Sequence, residues 1–282
     1  MMRIFVTGAT GFIGAAVVRE LSDAGHRVIG LARSEKATAA LTAVGAAVQR
    51  GSLDDLDSLR SGAAAADGVI HLAFQHDGFA NFAASLAIDL QAVAAMGAAL
   101  EGSGKPFVTT AHMNGEASEN ATFALSEVRS SVVSLSPSVH GEGDHGFVPS
   151  LINIARAKGV SAYVGDGSNR WPAVHRRDAA QLYRLALEKA PAGSRLSGRA
   201  EEGVAFRDIA GVIGKHLNLP VVSISRGEAD AHFGFLGALA AVDIPSIAPG
   251  SSAQTKELLG WRPVQPGLIA DIDQGHYFND SF

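Results

Sequence analysis

Residues 3–14 read RIFVTGATGFIG, an apolar strand that runs directly into three glycines at Gly8, Gly11 and Gly14. Residues 15–21 then continue as a good helix former. In such a strand–turn–helix unit the first glycine permits a tight turn, the second lets backbone approach a pyrophosphate, and the third lets helix and strand pack closely. The helix N-terminus faces the phosphate charge. The stretch therefore predicts a dinucleotide-binding turn formed by Gly8, Thr10, Gly11, Phe12, Ile13 and Gly14.

Apolar runs alternate with longer amphipathic stretches through the first half of the chain, which is typical of βαβ units on a parallel sheet. The pattern predicts strands at 3–7, 27–32, 46–50, 68–73, 106–110 and 131–136. Six such strands complete an α/β fold with a doubly wound parallel (Rossmann) sheet.

After residue 141 the pattern loosens into pieces punctuated by Gly and Pro, with helical stretches at 177–189 and 206–216. We expect residues 1–140 to form the dinucleotide-binding domain, completed by parts of 171–200, and residues 141–282 to form mainly a smaller substrate lobe. Trp171, His175, Phe147 and Tyr163 are expected to line a pocket in that lobe, and Asp178 to anchor its helix.

Composition narrows the functional classes. The chain has 282 residues, 47% of them hydrophobic, a formal charge of −5 and no cysteine. These values exclude disulfides and thiolate chemistry, and the absence of a basic run argues against a nucleic-acid partner. No apolar stretch approaches the ~20 residues that span a bilayer, so we expect a cytoplasmic protein with a small-molecule substrate and no membrane partner. No metal site is predicted.

The end of the second predicted strand bears on the choice of cofactor. An acidic residue there would bind the ribose 2′-hydroxyl of NAD, whereas a cation accommodates the 2′-phosphate of NADP. The sequence has Ala32 at that position, followed by Arg33 and Ser34, so it predicts NADP(H). Glu35 would approach the ribose if the strand ended two residues later.

At this point the chain resembles the extended short-chain dehydrogenase/reductase family, which contains NAD(P)-dependent epimerases, dehydratases and reductases. The resemblance rests on the glycine spacing, on VIHLA at 69–73, LSPSVHG at 135–141, WPAVHRRDAA at 171–180 and LGWRP at 259–263. It implies cofactor contacts at Ser52, Leu53, Leu72, Ala73, Phe74, Thr109, Pro137, Ser138 and Val139. Ser52 departs from the Asp usual at its position.

The resemblance fails at the catalytic pair. The family uses a Tyr followed four residues later by a Lys, and none of the three tyrosines here has that partner. The best local match puts Gly115 at the Tyr position and Glu119 at the Lys position, only five residues after Thr110. The candidates for a replacement acid or base are Thr110, His112 and His140, because an imidazole titrates near neutral pH and a hydroxyl can bind a carbonyl.

Three functions remain open. The first, which we favour, is an NADPH-dependent reductase of a small carbonyl-type compound with a non-standard proton donor. The second is a catalytically inactive NADP(H)-binding sensor or regulatory protein, and the third is a sugar-nucleotide epimerase or dehydratase. A homodimer is expected to pair through helices near 79–100 and 117–129, because the first keeps enough apolar positions.

Overall fold

The computed structural model describes residues 1–75, 81–247 and 251–279. The strands are β1 (Arg3–Thr7), β2 (Arg27–Ala32), β3 (Ala47–Arg50), β4 (Gly68–His71), β5 (Pro106–Thr110), β6 (Arg129–Leu135), β7 (Ser138–His140), β8 (Ser161–Val164), β9 (Arg170–His175), β10 (Ser194–Gly198), β11 (Glu201–Ala205) and β12 (Val221–Ile224). The helices are α1 (Phe12–Asp23), α2 (Glu35–Ala43), α3 (Leu56–Ala65), α4 (Phe82–Leu100), α5 (Glu116–Phe123), α6 (Phe147–Lys158), α7 (Arg176–Lys189), α8 (Phe206–Leu217), α9 (Ala229–Phe233), α10 (Gly237–Ala240), α11 (Ile244–Ile247), α12 (Ser252–Leu259) and α13 (Leu268–Asp273).

The chain divides into two compact units. The first comprises Met1–Ser134, Ala179–Leu196 and Gln254–Trp261, and the second comprises Leu135–Asp178, Ser197–Ala253 and Arg262–Phe282. The division expected from the sequence fell after residue 140, whereas the structure divides the chain after Ser134. The return of Gln254–Trp261 to the first unit was not predicted.

The first unit contains a seven-stranded sheet in the order β10-β6-β5-β4-β1-β2-β3. Strand β1 lies parallel between β4 and β2, and Ile4, Phe5 and Val6 are completely buried. Burial on both faces is what a central parallel strand requires, and it explains the unbroken apolar run at 4–6. The predicted doubly wound parallel fold is confirmed, with β10 as a strand beyond the six that were expected.

Strand β4 ends at His71, two residues before the predicted end, because the Thr7 side chain binds the next two backbone amides. The Thr7 hydroxyl oxygen accepts hydrogen bonds from the backbone N–H groups of Leu72 and Ala73, each at 3.2 Å. These amides are therefore satisfied outside the sheet ladder, so the chain turns away at the carboxyl end of β4.

Helix α4 packs against α3 and α5 in the first unit. Contrary to the expectation from the sequence, its 19 residues are long and apolar enough for a membrane span, but Val93, Met96 and Leu100 are buried in the core of this unit. We therefore assign α4 as a core helix. Residues 79–80 of the expected 79–100 helix lie outside the described part of the chain. The expected 117–129 helix was too long: α5 ends at Phe123, and Glu127 has a positive φ of 49° before β6 begins.

The second unit has a three-stranded sheet, β11-β9-β7, and a parallel pair, β12-β8. Helix α8 lies in this unit, whereas α7 belongs to the first unit from Ala179 onward; both helices were predicted from the sequence. The prediction that Trp171 lines a pocket was wrong, because its side chain is 1% exposed. It packs edge-on against Phe147 and Phe206, and its indole N–H donates to the Leu239 carbonyl at 3.1 Å. These aromatic rings form the hydrophobic core of the unit, where a large apolar ring stabilises most.

Candidate active site

The glycine turn after β1 leaves no room for side chains. Gly8 has a φ of +68°, and a Cβ there would lie 2.8 Å from the Ala73 nitrogen. A Cβ on Gly14 would lie 1.9 Å from the Gly8 carbonyl oxygen, so α1 and the turn can approach this closely only with glycine. Gly11 N–H donates to the Gly8 carbonyl at 2.9 Å and closes the turn. At positions 8 and 14 a side chain would collide with backbone atoms, which agrees with the roles predicted for these glycines.

The N-terminus of α1 follows this turn without a side-chain cap. Gly11 is the N-cap residue and has no side chain to accept from the first amides of the 12-residue helix. Thr10 and Gly11 are exposed, while Phe12 and Ile13 are half-buried. Uncapped amides at a helix N-terminus bind anions. The turn therefore fits a pyrophosphate, the group for which the sequence predicted it.

The residues after β2 and β3 lie side by side because the strands are paired. Arg33 and Ser34 are exposed, and the Ser34 hydroxyl oxygen accepts from Ala37 N–H as the N-cap of α2. Glu35 is held by Arg50 in a two-point ion pair, at 2.5 and 3.0 Å. Ser52 is half-buried, whereas the Leu53 side chain is packed into the hydrophobic core.

A buried polar chain begins at Thr7 beneath the end of β4. Because the Thr7 oxygen accepts from two backbone amides, its own hydrogen is directed to His71 Nδ1, which lies 2.6 Å away. His71 Nδ1 is then an acceptor, so this ring carries its proton on Nε2. His71 Nε2 lies 3.1 Å from an oxygen of Asp89 and donates to it.

Asp89 is only 1% exposed and lies between two imidazoles. The same carboxylate oxygen that accepts from His71 lies 3.7 Å from Nε2 of His112. Burial is the largest single influence and acts to raise the pKa of Asp89, but the hydrogen bonds and charges of His71, Ser118 and His112 together outweigh burial, and the pKa is lowered. Asp89 is therefore a buried, ionised carboxylate. We call His71, Asp89 and His112 the histidine–aspartate group.

His112 lies in the short loop after β5 with its side chain 15% exposed. Its ring stacks on Phe74, with centroids 4.1 Å apart and planes inclined by 29°. Phe74, Leu72 and Ala73 are all half-buried at the end of β4. The structure thus brings His112 to the segment that the resemblance assigns to the cofactor.

The hydroxyl groups of Thr110 and Tyr183 are hydrogen-bonded to each other. The Thr110 hydroxyl donates to the His71 carbonyl at 2.9 Å, so the Tyr183 hydroxyl, 2.8 Å away, donates to Thr110. Tyr183 is completely buried, and burial raises its pKa well above the ordinary value. Neither hydroxyl is available as an acid at neutral pH. Thr109 is also buried, and its hydroxyl lies 3.3 Å from that of Thr122.

The two positions that replace the family's Tyr and Lys have structural roles. Gly115 is the N-cap of α5, and a Cβ there would lie 3.0 Å from the His112 carbonyl. Glu119 forms an ion pair with Arg195. Neither position supplies a group that can transfer a proton to a substrate.

The remaining predicted residues lie in the second unit. Ser138 is buried in β7, and Pro137 and Val139 are half-buried. His140 is 1% exposed and its Nδ1 lies 2.8 Å from a carboxylate oxygen of Asp271. This burial and pairing favour a structural role for His140 rather than the catalytic one considered from the sequence.

The loop after β7 is fixed by the C-terminal segment. Tyr277 accepts from Gly141 N–H at 3.0 Å and donates to Asp144 at 3.1 Å, while Gly146 N–H donates to the other Asp144 oxygen at 2.7 Å. Burial raises the pKa of Asp144. At the start of α7, Asp178 accepts from the backbone N–H groups of Val264 and Gln265.

Sequence reasoning missed Asp89 and His71. The signal was present in the sequence: Asp89 is the one charged residue in the apolar run 82–100. A carboxylate on a helix that packs in a core requires a partner, because an unpaired buried charge is very costly. The buried charge of Asp89 therefore predicts a polar partner on the adjacent strands, and His71 is that partner.

The comparisons with known proteins agree with this fold and turn. The sequence model of the NAD-dependent epimerase/dehydratase family matches residues 4–132, which include the glycine turn and β1–β5. Residues 4–132 are a domain of the NAD-dependent epimerase/dehydratase family, and the chain is an NAD(P)-binding, oxidoreductase-like protein of that kind.

Two uncharacterized curated relatives match nearly the full chain, and a reductase matches part of it. An uncharacterized protein of Schizosaccharomyces pombe is 47% identical over 300 residues, with 98% of this chain and 100% of the relative covered. An uncharacterized protein of Saccharomyces cerevisiae is 44% identical, with 99% and 100% covered. A 2-alkyl-3-oxoalkanoate reductase of Stenotrophomonas maltophilia is 27% identical, with 71% and 69% covered.

Solved structures of similar fold include sugar-nucleotide enzymes. A dTDP-glucose 4,6-dehydratase from Streptomyces venezuelae, crystallised with NAD, has a TM-score of 0.75 at 17% identity, with 99% of this chain and 98% of that chain covered. A UDP-glucose 4-epimerase from Thermotoga maritima has a TM-score of 0.72 at 18% identity, with 98% of each covered. At these identities the likeness establishes the fold alone.

Proposed function

We propose that this protein is an NADP(H)-dependent oxidoreductase that reduces a small carbonyl-type compound, with His112 as the proton donor. The observation that carries the proposal is the 3.7 Å separation between Nε2 of His112 and the buried Asp89 carboxylate. It supports an acid–base role for this side chain in the loop after β5, close in sequence to the position where the family's tyrosine is missing. The reductase relative, whose name specifies a 3-oxoalkanoate, supports a carbonyl substrate.

The glycine turn and the uncapped N-terminus of α1 fit the pyrophosphate of a dinucleotide, and Arg33 fits a 2′-phosphate. An exposed guanidinium can donate two parallel hydrogen bonds to phosphate oxygens. Ala32 stands at the position of the acid typical of NAD enzymes, and its methyl side chain cannot accept a hydrogen bond from the ribose hydroxyl. When bound, the reduced cofactor supplies a hydride, so the protein's task is to position the reactants and provide the proton.

His112 is suited to hold that proton. A carboxylate within about 4–6 Å favours the charged form of an imidazole. Asp89 is fixed as an anion by His71, which is itself fixed by Thr7. With Nε2 directed at Asp89, the proton on the other ring nitrogen, Nδ1, is the one that can pass to a substrate oxygen as negative charge develops there, and Asp89 remains ionised throughout as a positioning residue.

The sensor alternative rests on Gly115 and Glu119, which leave the family's catalytic pair without chemical replacements. The sugar-nucleotide alternative shares its fold with the structural neighbours. An open pocket of about 490 Å³ in the second unit is lined by Asp166, Arg170 and Asp243, and Arg170 is bound at two points by Asp243. Because its lining cation is already paired with a carboxylate, this pocket does not favour a diphosphate.

The test is NADPH oxidation, followed by the loss of its absorbance, across a panel of aldehydes, ketones, quinones and imines, with wild-type protein and His112→Asn. Substrate-dependent turnover in the wild type that is lost in the variant supports the proposal. NADPH binding without turnover on any member of the panel supports the sensor function instead. Turnover that is unchanged in His112→Asn refutes the assignment of the proton donor.

A further inference from the structure

Three cationic residues and one carboxylate lie at or just after the ends of the paired strands β2 and β3. Arg33, Glu35 and Lys36 follow β2, and Arg50 is the last residue of β3. The strand register pairs Arg50 with Ala32, the position where an NAD enzyme of this fold carries its acid. Glu35 is therefore the nearest carboxylate in sequence that could take over that acid's task.

Glu35 and Arg50 are both held on fixed backbone. Glu35 is the first residue of α2, whose N-cap Ser34 is bonded to Ala37 N–H. Arg50 is paired in the sheet, and the next residue, Gly51, donates its N–H to the Ala32 carbonyl at 3.1 Å. The side chains then meet in a two-point pair in which each guanidinium nitrogen binds its own carboxylate oxygen.

The Arg50–Glu35 ion pair is too exposed to contribute much to the stability of the fold. The two side chains are 64% and 79% exposed, and ion pairs this exposed contribute little to stability. What the pair does change is local charge and hydrogen-bonding capacity. Arg50 lowers the pKa of Glu35 and donates to both of its carboxylate oxygens, so the charge of Glu35 is compensated and its carboxylate is held toward Arg50.

We propose that Arg50 is a cofactor-selectivity residue that acts by shielding Glu35 from the adenosine ribose. This inference rests on the proposed NADP(H) function. With Arg50 present, the strand ends carry net positive charge from Arg33 and Lys36, which favours a 2′-phosphate. Without Arg50, the Glu35 carboxylate repels a 2′-phosphate and can accept a hydrogen bond from a 2′-hydroxyl.

The experiment compares binding of NADPH and NADH by isothermal titration calorimetry in four proteins: wild type, Arg50→Gln, Glu35→Gln and the double variant. The measured quantity is the ratio of the NADH and NADPH dissociation constants. We expect Arg50→Gln to lower this ratio by about tenfold, through weaker NADPH and tighter NADH binding. Because the proposed action passes through Glu35, the double variant should return to within about twofold of the wild-type ratio.

Two outcomes overturn the inference. An unchanged ratio in Arg50→Gln shows that Arg50 has no part in selectivity. A double variant that stays as low as Arg50→Gln shows that Arg50 contacts the phosphate itself instead of shielding Glu35. The matched control is Arg60→Gln, which breaks an exposed pair with Asp57 on α3 and should leave the ratio unchanged. A wild type without NADPH preference counts against the proposed function alone, since the inference concerns the change in ratio.

Discussion

Nε2 of His112 lies 3.7 Å from the carboxylate of Asp89. The distance is longer than a hydrogen bond but short enough for a charge to act strongly in a buried setting. His71 fixes the same carboxylate oxygen from the other side at 3.1 Å. Together these contacts bring an imidazole of the loop after β5 close to a buried, ionised carboxylate.

If His112 donates the proton, His112→Asn should lower kcat by about 10²–10⁴-fold, the usual contribution of general acid catalysis. The dissociation constant for NADPH should change little, because the glycine turn and Arg33 are intact. Steady-state kinetics and a separate NADPH titration check the two quantities. His145→Asn is the control, since that side chain is exposed in the second unit. A loss of both kcat and cofactor binding would contradict a purely catalytic role.

Asp89→Asn tests whether the carboxylate tunes His112. Reduction requires protonated His112, so activity should fall as pH rises through the pKa of that ring. Removing the negative charge makes the protonated ring less favourable, and the falling limb of kcat should move to lower pH by about one unit. The kcat profile against pH is the measurement. A uniformly lower profile with an unmoved limb would mean that Asp89 serves only the fold.

Much of the fold could be predicted because its signals are local. The burial of β1 follows from its apolar run, and the turn after it follows from Gly8 and Gly14, where a side chain would collide with backbone. The histidine–aspartate group could not be derived in the same way. Asp89 is 18 residues from His71 and 23 from His112, so only the packing of α4 on the sheet brings the three together. The role of Trp171 was misjudged for a similar reason, since sequence does not distinguish a pocket ring from a core ring.

Arg33→Asp should reverse the order of cofactor affinity. The exchange replaces a donor for the 2′-phosphate with an acceptor for the 2′-hydroxyl, so NADPH binding should weaken by at least about tenfold and NADH should bind more tightly. Fluorescence titration of each reduced cofactor provides both constants. Equal affinities in the wild type would contradict the preference for NADP(H).

Tyr277→Phe should destabilise the second unit by about 1–3 kcal/mol, because it leaves buried groups without partners. The lost hydroxyl accepts from Gly141 N–H and donates to Asp144, both in the loop after β7. Urea denaturation measures the free energy of unfolding. Tyr163→Phe removes the same hydroxyl from a half-buried ring and is the control. Equal stabilities of the two variants would show that the Tyr277 contacts contribute little.

His175 makes stability depend on pH in a defined window. Burial lowers the pKa of this ring to about 4, and its Nδ1 accepts from Arg177 N–H, so the folded protein holds His175 neutral. An unfolded chain has a histidine pKa of about 6.5, so between these values the unfolded state binds more protons and stability falls as pH falls. Between pH 7.5 and 5 the loss due to this group is about 2 kcal/mol.

His175→Gln keeps a side-chain acceptor near Arg177 but cannot titrate. Its free energy of unfolding should therefore fall by about 2 kcal/mol less than that of the wild type between pH 7.5 and 5. Urea denaturation at the two pH values measures this difference, and His145→Gln, an exposed histidine in the same unit, should behave like the wild type. If His175→Gln loses as much stability on acidification as the wild type does, the ring is not held neutral by the fold.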